Sequence, residues 1–295
     1  MKKIVLIGAG SAVFGLGTIN DIFQSDSLIG STIVLHDINE AALKKITEAA
    51  EKFREKNNLN FAIKPVSNRR EALKDADFCV ISIEVGHRFD LWDMDWKIPL
   101  QFGFKQIYGE NGGPGGLFHS LRIIPPILAI CEDIQEICPE AFVFNYSNPM
   151  QRICHSVTTK FPNLKFVGLC HEIYSMEVQL PELLNTERSN IDFRAGGLNH
   201  LSILVEANFK DTGMDAYPVI HQNLKNFIQI MKISMIITII QSLVVKGVYF
   251  FIFTKNLVIY LLPLIVIWGS TLVGVTVLLI MMVSMSFTQI IKESA

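Results

Sequence analysis

Charge is what this sequence has least of. Only 18% of its 295 residues are charged, against about 25% in an ordinary soluble domain. The formal net charge is −2, so there is no basic excess, and binding of nucleic acid through bulk charge is excluded. The shortage is local. Up to Ile230 the chain carries 22 basic and 27 acidic residues, a net of −5, and reads as a soluble acidic protein. From Met231 onward it has four lysines and one acid, Glu293. No aspartate follows Asp215, and no charge lies between Asn256 and Ile291. Cysteine is also sparse. Five cysteines, an odd number in a chain of this length, fit no secreted disulfide framework. Free thiols in a reducing cytosol are expected, and with them a cytoplasmic location. Internal repeats and low-complexity linkers are absent, and the first apolar run, Ile4–Ile7, is too short for a secretory leader.

The N-terminal region predicts an α/β fold with a doubly wound, dinucleotide-binding sheet. Ile4–Ile7 has the continuous apolar character of a strand buried on both faces, and it runs into Gly8-Ala9-Gly10-Ser11. A crossover helix over 12–25 and a second strand, Thr32–His36, follow, ending at Asp37. Gly8 and Gly10 permit a tight turn that lets a pyrophosphate reach backbone N–H groups, and Ser11 caps the helix. Asp37 sits where a carboxylate accepts the ribose hydroxyls of NAD and repels the 2′-phosphate of NADP. A plain strand–helix turn would share the two glycines, but the βαβ context and Asp37 favour NAD. The alternation continues with strands near 78–83, 141–144 and 165–169, a helix at 39–56, and a helix at 117–136 that Pro125-Pro126 should kink or restart.

Three polar clusters stand out, and several of them fall beyond strand ends, where ligands bind in open α/β sheets. Glu110-Asn111 opens a stretch with four glycines among residues 112–116, and glycine backbone allows close approach of a ligand. Asn148, in Asn145-Tyr146-Ser147-Asn148-Pro149, can offer its amide to sugar hydroxyls or make an Asx turn. Cys170-His171 follows a strand directly, and Asn199-His200 lies further on. A thiolate and an imidazole are competent ligands for a divalent transition metal, but two ligands are too few for a structural zinc site. Taken alone, the pair reads first as a buried thiol and an unrelated histidine, and second as an open site completed by substrate oxygens.

In this order, Gly8-Ala9-Gly10-Ser11, Asp37, Glu110–Gly116, Asn145–Pro149, Gly168-Leu169-Cys170-His171 and Gly197-Leu198-Asn199-His200 resemble glycoside hydrolase family 4, over about residues 1–226. The resemblance implies an NAD- and Mn²⁺-dependent α-glycosidase that departs from the two-carboxylate scheme. Hydride leaves carbon 3 of the sugar, a base removes the acidified proton at carbon 2, the aglycone leaves carbon 1, water adds, and the hydride returns. Cys170 and His200 carry over as metal ligands, Asn148 as a substrate contact, and Glu110 as a candidate acid for the leaving group. His171 carries over as support for the metal shell. The substrates implied are unphosphorylated α-galacturonides first, with α-galactosides and α-glucosides close behind. A homodimer or homotetramer is implied for the intact enzyme. Two other functions remain: an NAD-dependent dehydrogenase of related fold, which the Cys170/His200 pair disfavours, and a membrane protein with a cytosolic nucleotide-binding domain.

Three segments are therefore expected: an NAD-binding domain over 1–170, an incomplete substrate and metal domain over 171–226, and an apolar helical tail over 227–295. Asn256–Ile291 exceeds the roughly 20 residues of a spanning helix, so a membrane partner is expected only if the tail is genuine. A second reading is a shifted frame, because codons with T in the middle encode Phe, Leu, Ile, Met and Val. Read two bases later, Leu262–Gly274 can encode Thr-Ala-Asp-Ser-His-Leu-Gly-Glu-Tyr-Ile-Ser-Trp. Only the glycine opposite Trp268-Gly269 is forced by the code. Similar residues are expected at this distance in the family, which also needs a Tyr or Asp as carbon 2 base, and none is assignable after Asp215. Little or no turnover is expected of the chain as translated. Sequencing the DNA around codons 226–232 and beyond should reveal an Asp-Ser-His-x-Gly-Glu-Tyr string in a shifted frame; an intact frame without that string rules the shift out.

Overall fold

A computed structural model describes residues 1–11, 14–106, 109–198, 201–223, 252–253 and 259–260. The chain divides into two compact units, Met1–Cys170 and His171–Ala295.

The first unit is built on six strands: β1 (Lys3–Ile7), β2 (Thr32–His36), β3 (Ala62–Pro65), β4 (Phe78–Ile81), β5 (Phe142–Asn145) and β6 (Lys165–Gly168). All neighbouring pairs are parallel, in the order β3-β2-β1-β4-β5-β6. This is the doubly wound order in which the chain reverses direction between β1 and β4 and leaves a crevice at the carboxyl ends of the strands.

Alternation along β1 explains the two faces. Ile4 and Leu6 join Ile33 and Leu35 of β2 in one core with Ile19, Ile22 and Phe23 of α1 (Phe14–Phe23) and Leu43 and Ile46 of α2 (Glu40–Lys56). Val5 and Ile7 point the other way. With Cys79, Ile81 and Val143 they pack against α3 (Arg69–Leu73), α5 (Gly113–Ile137) and α6 (Met150–Lys160). Between α3 and α5 lies α4 (Arg88–Gln101).

The helix across Pro125 and Pro126 is neither broken nor restarted. Two backbone donors are lost there. Ile123, Ile127, Ile130 and Ile134 are nevertheless all buried, at spacings of three and four, so core packing holds the helix together. By length and hydropathy α5 could cross a membrane, but this buried stripe makes it a core helix. It also starts earlier than the sequence implied, because Gly113–Gly116 forms its first turn.

The second unit contains α7 (His171–Leu184) and an antiparallel hairpin of β7 (Ile191–Leu198) and β8 (Leu201–Phe209). Met176, Leu180 and Leu183 of α7, Leu204 and Ala207 of β8, and Ile220 form its core. Ile252–Phe253 and Ile259–Tyr260 pair as two short antiparallel strands. Most of the tail expected over 227–295 lies outside the described residues.

Asp133 on α5 ties α3 down. It accepts from Arg69 Nε at 2.7 Å and Arg70 Nη1 at 2.5 Å. Burial alone would raise its carboxyl, but the hydrogen bonds from Arg69 and Arg70 outweigh that and hold it below the ordinary carboxylate range. A depressed folded-state value contributes stability that is complete above that range and is lost as pH falls through and below it. Asp133→Asn should therefore cost about 1 kcal/mol at neutral pH, and the difference from wild type should shrink as the solution is acidified. Urea unfolding at several pH values measures this.

Candidate active site at the carboxyl edge of the sheet

The turn after β1 is tied to the end of β2. The N–H groups of Gly8 and Ala9 donate to the His36 carbonyl at 2.9 and 3.1 Å. Gly8 has φ +86°, and a Cβ there would lie 2.1 Å from the Ser82 carbonyl oxygen. The turn thus needs glycine both for its conformation and for its approach to the segment after β4. Gly10 N–H donates to Asp37 Oδ2 at 2.8 Å, and Asp37 Oδ1 accepts from Asn39 N–H at 2.8 Å. Ser11 Oγ accepts from Phe14 N–H at 3.3 Å and so caps α1, whose described part begins at Phe14. The four residues expected to hold a cofactor are brought together, with Asp37 half-buried at the rim. An ionised carboxylate has about four lone-pair sites, so Asp37 retains capacity for hydroxyl donors. The glycine cradle and this acceptor fit a dinucleotide.

The second group of residues lies beyond β4 and β5. Ser147 Oγ accepts from Ile83 N–H at 2.8 Å and donates to the Ile83 carbonyl at 2.9 Å, pinning the two loops together. Asn148 Nδ2 donates to Glu110 Oε1 at 2.7 Å, and Asn148 Oδ1 accepts from Met150 N–H at 3.3 Å. The loop carrying Glu110 is anchored by Gln106, whose Nε2 donates to the Asp95 carbonyl at 2.7 Å and whose Oε1 accepts from Gly115 N–H at 3.1 Å. Asp95, buried, pairs through both oxygens with Arg122 of α5.

Three residues that the sequence did not single out complete the cluster. Arg88 Nη2 donates to Glu110 Oε2 at 2.8 Å. Glu84 Oε1 meets His119 Nε2 at 3.0 Å. Burial would raise the Glu84 carboxyl, but the hydrogen bond and charge of His119 more than offset it and hold the group below its ordinary range. Two signals existed in the sequence. Glu84 and Arg88 stand four apart soon after a strand, and His119 is, with Ser120, one of two polar residues on the buried face of α5. Glu84, Glu110 and His119 could reach one ion, with ligand atoms within 4.8 Å of one another. The Arg88 guanidinium already supplies the positive charge there, so the cluster is a poor metal site.

Cys170 lies just beyond β6, half-buried, and none of the five cysteines is in a disulfide. His200, its expected partner, lies outside the described residues, as does Asn199. In donor chemistry a thiolate and an imidazole fit a divalent transition metal. His171 opens α7, and Glu172 beside it is buried and accepts from Ser202 N–H at 3.1 Å.

Comparison with known proteins decides the family. Residues 3–186 match the model of family 4 glycosyl hydrolases. The chain belongs to that family. An alpha-glucosidase of Erwinia rhapontici is 61% identical over 215 residues, 73% of this chain and 48% of that protein. An alpha-galactosidase of Bacillus subtilis is 34% identical over 225 residues, 76% of this chain and 51% of that protein. The fold is shared with a 6-phospho-alpha-glucosidase from gut microorganisms, solved in complex with NAD and Mn²⁺. Its TM-score is 0.68 at 23% identity, over 76% of this chain and 51% of that one. The chain thus spans about half the length of the family 4 relatives it matches.

In this family 4 chain the turn at Gly8 is the most demanding piece of backbone. Gly8→Ala should destabilise the fold by about 1–3 kcal/mol from backbone strain alone, with more from the contact at Ser82. Thermal or urea unfolding measures it, and an unchanged midpoint contradicts the geometry described.

Proposed function

We propose that this chain carries the cofactor-binding part of an NAD-dependent α-glycosidase. The observation that carries the reading is the joining of Gly8, Gly10, Ser11 and Asp37 at the carboxyl edge of β1 and β2. The N–H groups of Gly8, Ala9, Gly10 and Ser11 are spent inside the turn and fix its shape, and the positive end of α1 that the turn leads into would favour the negative charge of the pyrophosphate. Asp37 would accept the adenosine ribose hydroxyls and repel a 2′-phosphate, so NAD is preferred to NADP.

When bound, NAD supplies reversible hydride removal at carbon 3 of the sugar. Asn148 orients the sugar through its amide. Cys170, with His200, would hold a divalent ion such as Mn²⁺, whose Lewis acidity favours loss of the carbon 2 proton. The carbon 2 base is not assigned to any residue of this chain.

The 61% identity to an alpha-glucosidase supports α-glucosides as substrates ahead of α-galacturonides and α-galactosides. In this reading the partner is a small glycoside and not a nucleic acid. The intact enzyme assembles as a homodimer or homotetramer, and the five thiols suit the cytoplasm.

Calorimetric titration of the full chain tests the cofactor assignment. NAD should bind more tightly than NADP, and Asp37→Ala should weaken NAD about 10- to 100-fold, the worth of hydrogen bonds to a charged group. Absence of NAD binding, or a variant that binds NAD as well as wild type, contradicts the proposal.

A further inference from the structure

Glu110 is enclosed by donors. Its Oε1 accepts from Asn148 Nδ2 at 2.7 Å, and its Oε2 accepts from Arg88 Nη2 at 2.8 Å. His119 Nδ1 lies 4.0 Å from the same Oε2, and the two side chains are only 8% and 12% exposed, His119 and Glu110 respectively. Arg88 and His119 each stand between two carboxylates. Arg88 Nε is 3.8 Å from Glu84 Oε2, and His119 Nε2 is 3.0 Å from Glu84 Oε1. Arg88 is itself braced, its guanidinium 5.3 Å from the centre of the Trp92 ring. The result is a closed ring of alternating acidic and basic groups, Glu84, Arg88, Glu110 and His119, with Asn148 attached at Glu110.

A general acid must carry its proton on an oxygen that faces the leaving group. Here each oxygen of Glu110 already accepts an N–H bond from another side chain. The arrangement is instead suited to fixing an amide. Asn148 donates one Nδ2 hydrogen to Glu110, and its Oδ1 is held by Met150 N–H. The side chain therefore cannot rotate without breaking both bonds, and its second Nδ2 hydrogen remains for a ligand.

We propose that Glu110 is a positioning residue in this chain: held by Arg88 and by the Glu84–His119 pair, it fixes the Asn148 amide in the orientation that receives the sugar. This rests on the reading of Asn148 as a sugar contact. Arg88, Glu84 and His119 thereby become determinants of sugar binding although none of them touches the sugar. Both oxygens of Glu110 are used, so glutamine, which keeps one acceptor and turns an N–H donor toward the other partner, should preserve the clamp only in part, and alanine should lose it.

The Asn148 side-chain amide reports directly on this. In ¹⁵N-labelled full chain, with its signal identified by loss in Asn148→Ser, its hydrogens should exchange slowly with solvent. In Glu110→Ala exchange should be about tenfold faster, the worth of one charge-assisted hydrogen bond, and in Glu110→Gln it should lie between the alanine variant and wild type. Methyl α-D-glucoside should shift the Asn148 signal, with about tenfold weaker affinity in Glu110→Ala, a smaller loss in Glu110→Gln, and NAD affinity equal in all three. Far-UV circular dichroism checks that each variant folds. An Asn148 amide that exchanges as fast in wild type as in Glu110→Ala overturns the proposal. So does a wild-type signal indifferent to the sugar, or a glutamine variant as impaired as the alanine one. NAD binding separates the two levels. Its absence alongside a protected Asn148 fails the cofactor reading and leaves the clamp standing, whereas NAD binding with an unprotected Asn148 fails the clamp alone.

Discussion

Everything at the carboxyl edge of the sheet depends on how closely the turn after β1 approaches its neighbours. At Gly8 a Cβ would lie 2.1 Å from the Ser82 carbonyl, and at Gly15 a Cβ would lie 2.1 Å from the Ala9 carbonyl. A side chain at Gly8 would push the turn away from the segment after β4, and one at Gly15 would push the start of α1 away from the turn. With glycine, the turn sits close enough for the His36 carbonyl to accept two N–H groups and for Asp37 to accept a third. The same closeness brings the start of α1 up beside an acidic residue, an arrangement that suits a dinucleotide.

The edge then divides by chemistry. Around β1 and β2 it offers backbone donors and one carboxylate. Beyond β4 and β5 it offers a ring of ionised and polar side chains braced on α4 and α5. The two regions meet where the glycine turn abuts the segment after β4. In a doubly wound sheet the crevice between strands that wind in opposite directions spans both regions. One edge can therefore hold an extended cofactor at one end and a sugar contact at the other. The ion pairs of α3, α4 and α5 serve this arrangement by fixing the helices that carry Arg88 and His119.

Much of this was legible in the sequence. The strands β1, β2 and β4 are apolar runs with buried residues, β5 and the more exposed β6 carry shorter apolar stretches, and Asp37, Glu110, Asn148 and Cys170 stand beyond strand ends or in a glycine-rich stretch. The strand β3 was not legible, because Ala62–Pro65 is a mostly exposed edge with little apolar pattern. Nor was α4, whose sequence is weakly amphipathic and contains Pro99. The continuity of α5 through two prolines depends on a buried stripe whose partners lie elsewhere in the chain. The four-residue spacing of Glu84 and Arg88 was visible, but their meeting with His119 and Glu110 depends on distances across elements far apart in the chain, which local spacing does not encode. His200, the metal ligand that the resemblance implies, lies outside the described residues, as does most of the apolar tail.

The central claim is that the carboxyl edge of the first unit is an NAD site running from Asp37 toward Asn148. Residue-resolved amide spectra of the full chain during an NAD titration test it most directly. Saturable shifts at Gly8, Gly10 and Asp37, extending to the segment after β4, are the predicted result. Saturation that leaves those residues unmoved, or no binding at all, would contradict it.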